Sequence, residues 1–253
     1  MKFALVNEQR QKPQPNLSGV CRSCGSPMIA RCGEIRMWHW AHKSERKCDP
    51  WWENETQWHR DWKDQFPDDW QEIVHHADNG ERHVADLKTD TGWVIEFQHS
   101  RIEPEERRSR EEFYPKLIWV VDGLRRKRDR AGLQRAWDNH YARSQAEDSP
   151  GRVVYSDDGA LLRDWVGGRA HVFFDLGDDQ ELWWLAPKAP NENKQWAILS
   201  RIPRIRFIES HQPEKKQGDD DFESILKWLE KVWRAHVPSQ GPIYAPAARM
   251  NGC

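Results

Sequence analysis

The stretch Trp93-Val94-Ile95-Glu96-Phe97-Gln98 decides how the chain folds and where its chemistry sits. Strand alternation puts Trp93, Ile95 and Phe97 on one face and Val94, Glu96 and Gln98 on the other, so Glu96 and Gln98 point the same way. Upstream, residues 71–77 and 82–88 alternate in the same manner. The turn sequences Asp78-Asn79-Gly80 and Asp90-Thr91-Gly92 separate the three runs, which predicts an antiparallel meander. The second turn folds the strand carrying Asp86 back beside Glu96. Two neighbouring carboxylates repel unless a cation joins them. A hard ion such as Mg²⁺ or Mn²⁺ takes carboxylate oxygens together with waters and substrate phosphate, and phosphodiester cleavage is the chemistry such an ion serves.

Working outward, residues 55–66 read as a helix that starts after Asn54 as N-cap. Trp58, Trp62 and Phe66 form its apolar stripe, while Glu55, His59 and Lys63 recur at four-residue steps on a separate polar stripe. Pro67-Asp68-Asp69 ends it. On the other side, Pro104 sits near the first turn of a second helix over 103–114, and Leu117-Ile118-Trp119-Val120-Val121 follows as a buried strand. A strand, a helix and another apolar strand make a crossover, so the strands around Glu96 and Trp119 run parallel. The expected fold is an α/β core in the order α-β-β-β-α-β with a mixed sheet. A competing reading makes Glu55, His59 and Lys63 a solvated i,i+4 network and Asp86 and Glu96 ordinary strand acids.

Five cysteines are an odd number, and four of them crowd into residues 21–48 beside two histidines. That is unlike a secreted disulfide framework and fits a metal-stapled module. Cys21-x2-Cys24 supplies one side of a tetrahedral Zn²⁺ site, and the second pair comes from His39, His42 and Cys48. The preferred set is Cys21, Cys24, His42 and Cys48, with His39 as the alternative ligand and Cys32 as a spare. Such a closed site does no chemistry itself; it presents basic residues such as Arg22, Arg31, Arg36 and Lys43 to nucleic acid. Residues 1–20, with the apolar run Phe3-Ala4-Leu5-Val6, read as a lead-in to this module.

The remainder is organised more loosely. Arg125-Arg126-Lys127-Arg128 follows the last core strand and offers cations to phosphates without sequence readout, or a solvated helix face. Residues 144–151 read as a linker. Strand-like runs over 152–209 predict an antiparallel sheet appended to the core, and residues 219–236 carry an amphipathic stripe of Phe222, Ile225, Leu226, Leu229, Val232 and Trp233. The expected division is a zinc module over 1–50, a core over 51–148 and an α+β region over 149–253. Hydrophobic residues make up 37% of the 253 positions and 16 tryptophans add large buried areas, which excludes disorder. No apolar run reaches the roughly 18 residues that span a bilayer, so a cytoplasmic chain without membrane contact is expected. A net charge of −2 averages local clusters of both signs and decides nothing about a polyanionic partner.

Taken together, the cysteine module, Trp38-His39-Trp40-Ala41-His42, Glu55-x3-His59-x3-Lys63, Ala85-Asp86, Ile95-Glu96-Phe97-Gln98-His99-Ser100, Arg110-x3-Tyr114 and residues 117–121 resemble the competence protein CoiA-like nuclease family. The resemblance covers residues 21–122 in order. It implies a PD-(D/E)xK restriction-endonuclease-like core in which Asp86 and Glu96 bind the catalytic metal and Gln98 stands where many relatives carry lysine. Glutamine carries no charge, so the metal takes more of the charge stabilisation. By the same likeness Glu55 is a further metal-facing acid, Lys63 or His59 orients water or phosphate, and Arg110 and Tyr114 are structural or contact phosphate. The implied activity is metal-dependent hydrolysis of DNA in uptake, recombination or defence, with a helicase, recombination factor or second copy as possible partner. The rival readings are a silent nucleic-acid-binding module and a zinc-stabilised adaptor.

Overall fold

The computed structural model describes residues 1–44, 48–49, 51, 54–77, 80, 82–139, 151–178, 180–187, 195–212 and 227. The helix expected over 219–236, save Lys227, and the linker expected over 144–151, save Gly151, lie outside them, and Gly151 opens a strand.

The N-terminal part is a five-stranded antiparallel sheet: β1 (Ala4–Val6), β2 (Gln9–Gln11), β3 (Ser18–Val20), β4 (Pro27–Arg31) and β5 (His39–His42), in the order β2-β1-β3-β4-β5. The lead-in expected at 1–20 is therefore part of the sheet, with β1 second from one edge. The sheet closes over a small core of Ala4, Cys21, Met28 and Trp40. A core this small leaves much of the stabilisation of the module to other devices.

The rest is built on an eight-stranded mixed sheet. Helix α1 (Gln57–Lys63) precedes β6 (Gln71–His76), β7 (Arg82–Lys88) and β8 (Val94–Gln98), which form the expected antiparallel meander. Helix α2 (Pro104–Phe113) then returns the chain to β9 (Leu117–Asp122), parallel to β8 with Glu96 opposite Trp119. Every residue of β8 and β9 is buried, as in interior strands of a sheet covered on both faces.

Residues 151–203 do not form a separate antiparallel sheet. After α3 (Asp129–Asp138), β10 (Gly151–Tyr155) and α4 (Ala160–Trp165), strand β11 (His171–Asp175) lies parallel to β9, and β12 (Glu181–Leu185) and β13 (Trp196–Pro203) continue the same sheet toward β10. Helix α5 (Arg204–Ser210) ends the described fold. Alternation in β9 explains why the sheet is the middle layer of three. Leu117, Trp119 and Val121 pack with Leu133, Ala136, Leu161 and Trp165 from α3 and α4, whereas Ile118 and Val120 pack with Trp62 and Phe207 from α1 and α5. No helix among the described residues is long and apolar enough to cross a membrane.

Candidate metal centres and their geometry

Helix α1 begins two residues later than expected. Thr56, not Asn54, is the N-cap: its hydroxyl accepts from the His59 N–H at 3.4 Å while His59 Nδ1 accepts from the Thr56 N–H at 3.1 Å. This reciprocal pair satisfies two otherwise orphaned donors. Buried His59 is thus a capping residue as well as part of the cavity wall. Glu55 falls before the helix, yet its carboxylate still reaches Lys63.

The strands explain how Asp86 meets Glu96. The β7–β8 ladder holds only Leu87 opposite Ile95 and Lys88 opposite Val94. Beyond it the backbone pairing stops, and Asp86 Oδ2 accepts from the Phe97 N–H at 3.1 Å. A side chain has taken the place of a ladder carbonyl, which opens a cavity of about 80 Å³ at the parting of the strands. Asp49, Glu55, Lys63, Glu72, Asp86 and Glu96 all line it.

Lys63 is the cation at its centre, 2.9 Å from Glu55, 3.1 Å from Asp86 and 3.7 Å from Glu72. Burial opposes its charge, but Asp86, Glu55 and Glu72 outweigh burial and raise its pKa. Glu55 also pairs with Arg60 at 2.5 Å; although burial pushes its carboxyl up, Lys63 and Arg60 hold it down to about 2. Glu55 therefore faces two cations of its own, where the resemblance implied a metal. Glu96 is the opposite case. Burial, then the Asp86 carboxylate, push its carboxyl well above the usual range, and Arg110 at 3.4 Å only partly opposes them. A buried acid raised in this way is one that a divalent cation would stabilise as a carboxylate.

Gln98 is buried on the same strand and donates from Nε2 to the Ser100 carbonyl and hydroxyl at 3.2 and 3.3 Å. Arg110 does not reach outward to phosphates: it is 5% exposed, spanning Glu96, Glu106 and the Trp51 carbonyl. Tyr114 is likewise buried. Of the basic run, Lys127 and Arg128 are exposed, Arg125 is half-buried, and Arg126 is tied to Asp129 and Asp164 at 2.8 and 2.9 Å. The run forms a turn before α3 and no helix face.

Two acids of the cavity carried no sequence signal. Glu72 receives the backbone N–H groups of Lys2 and Phe3 at 2.6 and 3.0 Å and thereby clamps the N-terminal sheet to the core. Its φ of 48° is a left-handed conformation that non-glycine residues rarely adopt. Asp49 accepts from the Val84 N–H at 2.7 Å, the Trp51 N–H at 2.9 Å and His83 Nδ1 at 3.1 Å. Such residues would show only as acids beside a strand start or a cysteine.

The second centre lies in the N-terminal sheet. Cys21, Cys24, His42 and Cys48 bring one ligand atom each to within 4.8 Å of one another, the set preferred from spacing. A tight turn makes the first pair: the Gly25 N–H returns to the Cys21 carbonyl at 2.9 Å, with Gly25 at φ 70°. Cys21 Sγ lies 3.8 Å from Cys48 Sγ, and Cys24 Sγ lies 3.4 Å from His42 Nε2. A tetrahedron with Zn–S bonds of about 2.3 Å has S···S edges of about 3.8 Å, the length of the Cys21–Cys48 edge, so the four residues could hold zinc. The hydrogen bond from Cys48 is the main cause that pushes the Cys21 thiol down to about 4, and the same bond pushes Cys48 up.

His39 is excluded as a ligand by parity: an odd separation along β5 places it on the opposite face from His42, and its Nδ1 bonds the Met37 carbonyl at 2.9 Å. Cys32 is a free thiol outside the cluster. The acids of the cavity, in contrast, form no comparable group of ligand atoms among the described residues. A larger cleft of about 610 Å³ beside Arg107, Glu111 and Asp164 lies elsewhere, and Arg107 pairs with Glu111 one turn along α2 at 3.4 Å.

Residues 8–50 match the family model of the competence protein CoiA, N-terminal domain. The matched stretch contains β2 to β5 and all four cysteine-cluster ligands, and it ends before Glu55, Asp86 and Glu96. No curated protein and no solved structure matches the chain.

Proposed function

We propose that this chain is a divalent-metal-dependent deoxyribonuclease of PD-(D/E)xK type, carrying a zinc-stapled CoiA-like module at its N-terminus. The observation that carries the reading is the cavity where β7 and β8 part. It collects Asp86, Glu96 and Lys63 behind an α-β-β-β-α-β order, with Glu96 raised as an acid awaiting a cation.

Asp86 and Glu96 would hold Mg²⁺ or Mn²⁺, hard ions suited to their oxygens. When bound, the ion supplies Lewis-acid stabilisation of charge on phosphate oxygens and lowers the pKa of water. The other residues have separable tasks. Lys63 provides, from α1, the cation that Gln98 does not provide from β8, and its salt bridge to Asp86 holds it where a scissile phosphate would sit. Glu55 anchors the Lys63 ammonium, and Arg110 holds Glu96 in orientation. His59 fixes the start of α1 through Thr56, and Gln98 orders the turn at Ser100. Lys127 and Arg128, with the exposed Arg31 and Arg36, are available for phosphates along the strand.

The CoiA-like segment favours a role in handling incoming DNA, either in competence and recombination or in defence, within the cytoplasm. Incubating purified protein with linear, circular and single-stranded DNA and with RNA, plus Mg²⁺ or Mn²⁺, tests the activity. Cutting of DNA that disappears in Asp86→Ala and Glu96→Ala supports it; equal cutting by wild type and both variants sinks it.

A further inference from the structure

We propose that Asp49 is a positioning residue through which the zinc-ligand cluster sets the geometry of the acidic cavity. This rests on the reading of that cavity as a divalent-metal site. Cys48 belongs to the cluster, and the next residue, Asp49, turns a 5%-exposed carboxylate into the core. From there two chains of contact reach Asp86 and Glu96, the proposed metal-binding acids.

The first runs along β7. Asp49 Oδ2 takes the Val84 N–H at 2.7 Å, two residues before Asp86. The β7–β8 ladder does not extend to Val84, so Asp49 supplies the acceptor for its N–H. Asp86 does the same for Phe97 on the facing strand. The parting of the strands is thus held open by two carboxylates, one from the module and one from the site.

The second chain runs to Glu96. Asp49 Oδ1 holds the Trp51 N–H, and the Trp51 carbonyl takes Arg110 Nη2 at 2.6 Å while Arg110 Nη1 faces Glu96. The Trp51 indole stacks on His83, the other donor to Asp49, with centroids 3.2 Å apart and planes 8° apart. Both Asp49 oxygens are occupied by N–H donors, so it acts through Val84 and Trp51 and is not itself a ligand. A zinc bond at Cys48 fixes where this segment lies, and energetic coupling of two sites through one element is reciprocal.

The test uses the full chain without nucleic acid. Mn²⁺ affinity is measured by electron paramagnetic resonance titration, and zinc by elemental analysis. Asp49→Asn is expected to retain zinc yet lose about 10- to 100-fold in Mn²⁺ affinity, the range for residues that orient metal ligands. Stripping zinc from wild type should cause a similar loss, reversed by adding zinc back, and stripping it from Asp49→Asn should add little. If Asp49→Asn does not fold, His83→Gln removes a single donor and should cause a smaller loss. Wild type that binds Mn²⁺ with unchanged affinity after zinc removal, or in the variant, overturns this inference alone. Losses from zinc removal and from the variant that simply multiply also overturn it. Wild type that binds no Mn²⁺, or whose binding ignores Asp86→Ala, overturns the metal-site reading as well.

Discussion

Lys63 Nζ lies 3.1 Å from Asp86 Oδ1, joining the last turn of α1 to the middle of β7 inside the cavity. The same ammonium holds Glu55 at 2.9 Å, so one buried cation balances several acids. Replacing Lys63 with Met leaves those carboxylates facing one another. Breaking a buried ion pair from one side costs about 3–5 kcal/mol, so chemical denaturation of the metal-free variant should show a loss of that order. Mn²⁺ should recover more stability in Lys63→Met than in wild type. DNA cutting should fall by about 10²-fold or more, the usual cost of losing a preorganised charge at a transition state.

Stability without divalent ions should fall as pH rises above the ordinary glutamate value of 4.5. Burial and Asp86 raise the folded-state pKa of Glu96, so above that value the unfolded chain has lost a proton that the folded chain still holds. Thermal melts between pH 5 and 8, expected to decline in this window, should flatten in Glu96→Gln and on adding Mn²⁺. A decline of unchanged size in Glu96→Gln would remove Glu96 as its source.

Acid should destabilise the fold through two other residues. Burial lowers His171 and His211 from 6.5 to about 4. Each is neutral in the folded chain while the unfolded chain takes up a proton, so their contribution is present above pH 6.5 and is lost as pH falls toward 4. His211 Nδ1–H donates to the Phe207 carbonyl at 2.6 Å, a bond that a glutamine amide can replace. His211→Gln should therefore melt with a shallower pH dependence over this window.

At the cysteine cluster, Cys24→Ser and Cys48→Ser should each lose zinc and lower the melting temperature, whereas Cys32→Ser and His39→Asn should keep about one zinc per chain. Elemental analysis beside a thermal melt distinguishes the two groups. Zinc loss in His39→Asn would reverse the ligand assignment made from strand parity.

Local pattern alone was enough for much of this molecule. The period-two runs around Val84 and Glu96 marked β7 and β8, the continuous apolar run around Trp119 marked β9, and Pro104 marked the start of α2, because side-chain direction and backbone restriction act over a few residues. The spacing of Cys21 and Cys24 marked one half of the cluster and left His39 as an alternative to His42, a choice decided only by the geometry around β5. Tertiary structure decided what had no local signature. Asp49 and Glu72 became cavity acids only where β7 and β8 part and where the N-terminal sheet docks. Arg110 turned inward because α2 packs over Glu96, and residues 151–203 joined the main sheet because β11 found the open edge of β9. Those outcomes depend on pairings between distant segments, whose free energy comes from burying the shared surface and is set by the whole packed arrangement rather than by the order of neighbouring residues.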